Sequence, residues 1–292
     1  MSGEFFIKIL VTGATGFIGN YVVKELLSLN RYQIIATSID LTKNIRNFEW
    51  YDRVKYIQCD LNESKKNYFT FFEEPDSLIH LSWEGLPNYN EFYHFERNLF
   101  SNYNFIKNII KNGLKDVNII GTCFEYGMKS GCLSEDIETN PINAYSIAKD
   151  TLRRFIELLN DKFNFSFKWI RLFYMYGQGQ NPNSLIAQLD KALENDKEIF
   201  NMSGGEQIRD YLHISKVAEY IVRISLQKKI TGKINCCSGK PISIKELVEN
   251  YIKKKGKSIK LNLGYYPYPD YVPMAFWGDN SKLNSILKND MI

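Results

Sequence analysis

The stretch Thr12-Gly13-Ala14-Thr15-Gly16-Phe17-Ile18-Gly19 limits what this chain can fold into more than any other. It follows the apolar run Phe5-Phe6-Ile7-Lys8-Ile9-Leu10-Val11 and opens a segment of helical periodicity, so it reads as the turn between a buried strand and a helix. Glycines spaced G-x-x-G-x-x-G let backbone N–H groups and a helix N-terminus meet a pyrophosphate. Gly13, Thr15, Gly16, Phe17, Ile18 and Gly19 are therefore candidate cofactor contacts. A glycine turn of purely structural use is the competing reading.

The rhythm that begins there continues. Strand-like runs at Lys8 to Val11, Gln33 to Ala36, Lys55 to Gln58, Leu78 to Leu81, Asn118 to Ile120 and Lys168 to Arg171 alternate with helical patterns over Phe17 to Leu29, Asn90 to Asn112 and Ala144 to Leu159. This alternation predicts an α/β fold with a doubly wound parallel (Rossmann) sheet. Beyond Arg171 the pattern loosens, although Tyr211 to Leu226 and Lys233 to Cys236 read as one more helix and strand of the main sheet. The expected organisation is a dinucleotide-binding domain of residues 1–175, to which 207–238 return, and a smaller discontinuous α/β substrate lobe of 176–206 and 239–292.

With 292 residues and 44% hydrophobic content the chain is long enough for such a core. The net charge of +4 comes from 37 basic and 33 acidic residues that are scattered, which argues against a nucleic-acid surface and leaves room for a mildly basic pocket for an anionic metabolite. Cys59, Cys123, Cys132, Cys236 and Cys237 include no C-x-x-C pair, so neither a disulfide framework nor a zinc site is expected, and no other metal. Reduced thiols in a cytoplasmic protein are the expectation. The N-terminal apolar run is too short to span a membrane, and no membrane partner or targeting segment is expected.

Chemistry enters with Asn143-Ala144-Tyr145-Ser146-Ile147-Ala148-Lys149. Residues i and i+4 share a helix face, so the Lys149 ammonium can lie beside the Tyr145 phenol and favour its ionised form. The pair follows Gly121-Thr122-Cys123-Phe124-Glu125-Tyr126-Gly127, which ends a predicted strand. Together with the glycine loop, this order resembles the short-chain dehydrogenase/reductase family. Two further segments, Arg171-Leu172-Phe173-Tyr174-Met175-Tyr176-Gly177 and Gly204-Gly205-Glu206-Gln207-Ile208-Arg209-Asp210-Tyr211-Leu212-His213, resemble its extended, epimerase/dehydratase branch that handles nucleotide sugars. The resemblance runs over nearly the whole chain.

The resemblance implies three catalytic roles: Thr122 hydrogen-bonds the substrate oxygen, Tyr145 passes a proton to or from it, and Lys149 holds the nicotinamide ribose and depresses the tyrosine pKa. It implies that Arg209 binds the substrate diphosphate, a salt bridge with Asp210 being the alternative. Leu81, Ser82 and Trp83 fall where the family lines the nicotinamide side, and Asn98 fits a family Asn that shapes the active-site backbone. Asp60 and Leu61 match the adenine contact, or Asp60 simply caps the next turn. At the end of the second strand an NAD-preferring site would carry an acidic residue, and here Thr37 and Ser38 stand with Lys43 and Arg46 nearby. NADP is therefore favoured, with NAD possible through Asp40. His213 reads as structural.

Departures from the branch narrow the chemistry. Family 4,6-dehydratases carry acidic residues directly after the Thr, where this chain has Cys123 and Phe124, and the 3,5-epimerising reductases carry a Cys where Phe124 stands. Tyr174 replaces an Asn common near the diphosphate, and no Arg precedes Asp270. The expected activity is a reductase transferring hydride from NAD(P)H to C4 of a dTDP- or CDP-linked 4-keto-6-deoxy sugar, in deoxysugar synthesis for surface polysaccharide. A nucleotide-sugar 4-epimerase with tightly bound NAD is the alternative, and a non-catalytic cofactor-binding protein the third reading. Family analogy also implies a homodimer formed through the two long helices.

Overall fold

Parallel strands that are apolar on both sides need a helical layer on each face, and the first half of the chain is built that way. The computed structural model describes residues 7–268, 270 and 272–289. Phe5 and Phe6 of the N-terminal run, and the last three residues of the expected substrate lobe, lie outside them. In chain order the elements are β1 (Ile7–Thr12), α1 (Phe17–Ser28), β2 (Tyr32–Thr37), α2 (Thr42–Ile45), β3 (Lys55–Tyr56), α3 (Tyr68–Phe71), β4 (Ser77–His80), α4 (Leu99–Lys111), β5 (Asp116–Thr122), β6 (Gly131–Leu133), α5 (Ala144–Phe163), β7 (Ser166–Leu172) and β8 (Tyr174–Tyr176). There follow α6 (Leu185–Glu194), β9 (Ile199–Asn201), β10 (Ile208–His213), α7 (Ile214–Leu226), β11 (Gly232–Cys236), β12 (Pro241–Ser243), α8 (Ile244–Lys255), β13 (Lys260–Asn262), β14 (Phe276–Gly278) and α9 (Ser281–Asn289).

The main sheet has seven parallel strands in the order β11-β7-β5-β4-β1-β2-β3. Along β1 the side chains alternate between two cores: Ile9 and Val11 join Val22, Val23 and Leu26 of α1 and Val217 and Ile221 of α7. Leu10 faces the opposite layer, with Phe105, Ile106 and Ile109 of α4 and Leu152 and Ile156 of α5. Each such fully buried side chain contributes roughly 1.5–3 kcal/mol of burial free energy. The strand order reverses between β1 and β4, which opens a crevice beyond their carboxyl ends, where open α/β sheets bind their ligands.

A separate core forms from Ile186, Leu189 and Leu193 of α6, Phe200, Met202, and Ile244, Leu247 and Val248 of α8. Small sheets tie distant segments to it: β10 lies between β8 and β12, β9 pairs with β13, and β6 pairs with β14. Most expected elements are present with shifted ends. Two differ in kind. The helix expected from Asn90 is regular only from Leu99, after a π-helical turn at His94–Asn98. The segment expected to be helical from Tyr211 runs as strand through His213, because β10 pairs with β8 there. No described helix is long and apolar enough to cross a membrane.

Candidate active site

The glycine loop occupies the crevice at the end of β1. Gly13 has φ +67°, and a Cβ there would stand 3.0 Å from the Ser82 backbone nitrogen, so only glycine lets the ends of β1 and β4 approach this closely. At Gly19 a Cβ would sit 2.1 Å from the Gly13 carbonyl oxygen, which fixes how tightly α1 meets the loop. Gly16 is the N-cap of α1 and supplies no capping side chain, leaving the first-turn N–H groups for another acceptor. Phe17 and Ile18 serve that turn by their backbone, since their side chains pack on the core.

One groove is lined by Gly13, Thr15, Gly16, Thr37, Ser38, Leu61, Leu81, Ser82, Trp83 and Asn98, bringing together most of the residues expected at the cofactor. Asp40 also lines it; its carboxylate accepts hydrogen bonds from the Thr15 hydroxyl at 2.6 Å and the Ser38 hydroxyl at 3.2 Å. Lys43 and Arg46 are exposed on and beside α2, outside the groove lining. Asp60 is outside the lining too, and its carboxylate caps the following turn by accepting from the backbone and side-chain nitrogens of Asn62. The Thr37 hydroxyl is buried without a partner among the described residues.

Beneath the groove a polar relay locks the strand ends. The Thr12 hydroxyl accepts from the Leu81 and Ser82 backbone N–H groups and contacts His80 Nδ1 at 2.8 Å, while His80 Nε2 meets Asn102 Oδ1 at 2.6 Å. Asn102 Nδ2 donates to the Asn98 carbonyl, so its oxygen is the acceptor and His80 carries its proton on Nε2. Burial, and then the Lys149 charge, pull His80 down to about 3, which keeps it neutral.

The helix that carries the reacting pair is set by a capping box, in which Asn143 Oδ1 accepts from Ser146 N at 2.9 Å and the Ser146 hydroxyl accepts from Asn143 N. One turn then separates Tyr145 from Lys149. The Thr122 hydroxyl stands beside the Tyr145 phenol and favours its ionised form. Thr122 is held from behind by Glu125, whose fully buried carboxylate accepts from the Thr122 backbone N–H at 2.9 Å, from Trp169 Nε1 and from Arg171 Nε at 2.8 Å. The polar relay has no sequence signal, because it is assembled from separate elements, whereas Glu125 stands three residues after Thr122 as the acid of a Thr-x-x-Glu capping box, a local signal that sequence reasoning missed.

One expectation is corrected. The tyrosine pKa is not depressed in this arrangement: burial first, then Tyr89 and Glu125, push the phenol well above its ordinary value, with only the Thr122 hydroxyl opposing. Lys149 donates instead to the Ile120 carbonyl at 2.9 Å and lies 4.1 Å from the centre of the Trp83 ring. Burial pulls its ammonium down to about 7, against the Glu125 charge.

A second pocket, lined among others by Tyr89, Phe124, Tyr174, Arg209 and Tyr211, adjoins this end. Arg209 is buried, donates to the Ile208 and Met274 carbonyls, and packs on the Phe276 and Tyr174 rings. Asp210 turns away to accept from the backbone of Ser238 and Gly239, so the alternative of an Arg209–Asp210 salt bridge does not apply. Tyr174 fills the position beside Arg209. Cys123 is buried, with its thiol pushed up to about 12 by desolvation, and Phe124 presents a ring. His213 caps α7 by accepting from the Ser215 N–H.

A sequence model described as the NAD dependent epimerase/dehydratase family matches residues 9–237. The chain belongs to that family. Among its relatives, a dTDP-6-deoxy-L-talose 4-dehydrogenase (NAD(+)) of Aggregatibacter actinomycetemcomitans is 30% identical over 273 residues, 93% of this chain and 99% of the relative. A dTDP-4-dehydro-6-deoxyglucose reductase of Escherichia coli is 23% identical, spanning 85% of this chain and 82% of the relative. The family fold extends to a crystal structure of UDP-glucuronic acid 4-epimerase from Bacillus cereus in complex with UDP-glucuronic acid and NAD. It superposes with a TM-score of 0.82 at 26% identity, covering 97% of this chain and 93% of that one.

Proposed function

We propose that this protein is an NAD-dependent oxidoreductase acting at C4 of a dTDP-linked 6-deoxyhexose, interconverting the 4-hydroxyl and 4-keto forms. The observation that carries the reading is the Tyr145–Thr122 hydroxyl pair with Lys149 one helical turn on. The side chains directly after Thr122, a thiol raised to about 12 and a phenyl ring, offer no acid/base pair for dehydration or for epimerisation at neighbouring carbons. Relatives named as a 4-dehydrogenase and a 4-keto reductase of dTDP-6-deoxy sugars support the same carbon and substrate class. The Tyr89 and Phe124 rings, packed edge to face with centroids 5.2 Å apart, present apolar surface that suits a C6 methyl group.

The groove residues fit a dinucleotide: a glycine cradle that a Cβ would fill, an uncapped helix start, and the orphaned Thr37 hydroxyl. Asp40 favours the ribose 2′-hydroxyl of NAD and repels a 2′-phosphate, which reverses the NADP preference drawn from Thr37, Ser38, Lys43 and Arg46. When bound, the nicotinamide supplies the hydride acceptor or donor. Thr122 orients the sugar O4, Tyr145 exchanges its proton, Lys149 holds the cofactor ribose, and Arg209 offers its guanidinium to the diphosphate. Residues 1–175 with 207–238 act in this reading as the cofactor domain, and 176–206 with 239–292 as the substrate lobe.

A 4-epimerase would use the same pair without net redox change, as the likeness to the Bacillus cereus epimerase suggests. The test is the absorbance of reduced nicotinamide with dTDP-linked 6-deoxy and 4-keto-6-deoxy hexoses. Net NAD(H) turnover is expected, and Tyr145→Phe is expected to lower it ~10²-fold or more with cofactor binding unchanged. Interconversion of 4-epimers without nicotinamide turnover identifies the epimerase instead, and near-normal turnover by Tyr145→Phe overturns the role of the phenol.

A further inference from the structure

A buried ammonium requires compensation from its surroundings. Lys149 is only 2% exposed and makes no ion pair among the described residues; the nearby Glu125 carboxylate is committed to Thr122, Trp169 and Arg171. What the ammonium does meet, besides the Ile120 carbonyl, is the indole of Trp83 at 4.1 Å from its ring centre. That distance lies well within the range at which an aromatic quadrupole attracts a cation, and tryptophan is the strongest such ring.

The indole is itself held in place. Its Nε1–H donates to His94 Nδ1 at 3.1 Å, and the two rings are stacked with centroids 6.2 Å apart. His94 is fully buried, and its Nε2 donates to the Asn88 carbonyl, leaving Nδ1 as an acceptor for Trp83. The π-helical turn at His94–Asn98 carries that histidine. On its other side Trp83 meets Tyr145 edge-on, with centroids 6.0 Å apart, and it also lines the cofactor groove. One ring therefore touches both members of the reacting pair and the groove they serve.

We propose that Trp83 is a positioning residue whose π face takes the place of a counter-ion for Lys149, keeping it an ammonium and aiming it at the groove. The inference rests on the part given to Lys149 in the proposed function. Three titratable groups act with Lys149 from the elements around it, Glu125 after β5, His80 on β4 and His94 in the π turn, and Tyr145 lies one turn away on its own helix. Of these Glu125 alone favours the cation; burial pulls Lys149 down to about 7 against it, and the π face acts in the cation's favour, so losing that face extends the neutral amine further into the neutral range. The sign is that of a lysine with a lowered pKa: the cation is kept below that value and lost above it.

The test follows the lysine side-chain resonance of Lys149 through a pH titration of cofactor-free protein, the signal being assigned by its loss in Lys149→Met. Trp83→Leu is expected to lower the midpoint by about one pH unit, and Trp83→Phe by clearly less. Should Trp83→Leu fold poorly, fluorinated tryptophans at position 83 drain the π face without changing its shape, and the midpoint is expected to fall with each added fluorine. An unchanged midpoint in these proteins, or equal falls for leucine and phenylalanine, overturns the proposal. Calorimetry with NAD+ separates it from the proposed function. Trp83→Leu is expected to lose about tenfold in affinity at about pH 8 and regain it near pH 6. NAD+ binding untouched by Lys149→Met sinks the part given to that lysine while leaving the titration result standing.

Discussion

On the proposed reading, Asp40 sets the cofactor preference at the groove. It stands just beyond the end of β2, where a loop carries it back to bond the Thr15 and Ser38 hydroxyls. A carboxylate so placed costs a 2′-phosphate several kcal/mol of like-charge contact. Asp40→Ala is accordingly expected to shift the NAD+ to NADP+ affinity ratio towards NADP+ by about tenfold or more, read from titration with each cofactor; an unchanged ratio places the discrimination elsewhere. Thr37 and Ser38 were visible as the strand end, but which later side chain bends back to them depends on loop geometry. Glu125 shows the same limit at the catalytic end. Its Thr-x-x-Glu spacing from Thr122 signals a capping box, but its burial as an ion-pair partner follows from Trp169 and Arg171 arriving on β7.

At the scale of elements, α5 delivers the chemistry through its first two turns. Its start is fixed by Asn143 and Ser146, and the left-handed Asn164 ends it. Asn143→Ala is expected to cost about 1 kcal/mol in urea melts. It is also expected to lower turnover, since Tyr145 and Lys149 lie just inside the frayed end; a variant as stable and active as the parent would show that packing alone sets this helix. The start of α5 was legible because capping and i, i+4 spacing are local. The π turn before α4 was not, because it exists to seat the His94 ring against Trp83 and the Asn88 carbonyl, partners that periodicity does not encode.

Across the whole molecule, exposed apolar side chains remain on the two long helices, with Phe100 on α4 and Leu158 on α5, the latter 68% exposed. A two-fold interface would bury each of them twice. Light scattering across a dilution series is expected to report a dimer, and Leu158→Glu to weaken it by about tenfold or more; a wild-type monomer at all concentrations refutes the assembly. The linear pattern of residues determined the parallel sheet, the glycine turn and the Tyr145 and Lys149 spacing, since hydrophobic period, turn chemistry and helical pitch act over a few residues. Tertiary structure decided the rest: the strand order that opens the crevice, the β6–β14 and β9–β13 pairs that tie distant segments together, and the arrival of His94, Trp169 and Arg171 beside Trp83 and Glu125. These depend on contacts between residues far apart in the chain, which form only when the two cores of the main sheet and the separate core of the second half have packed.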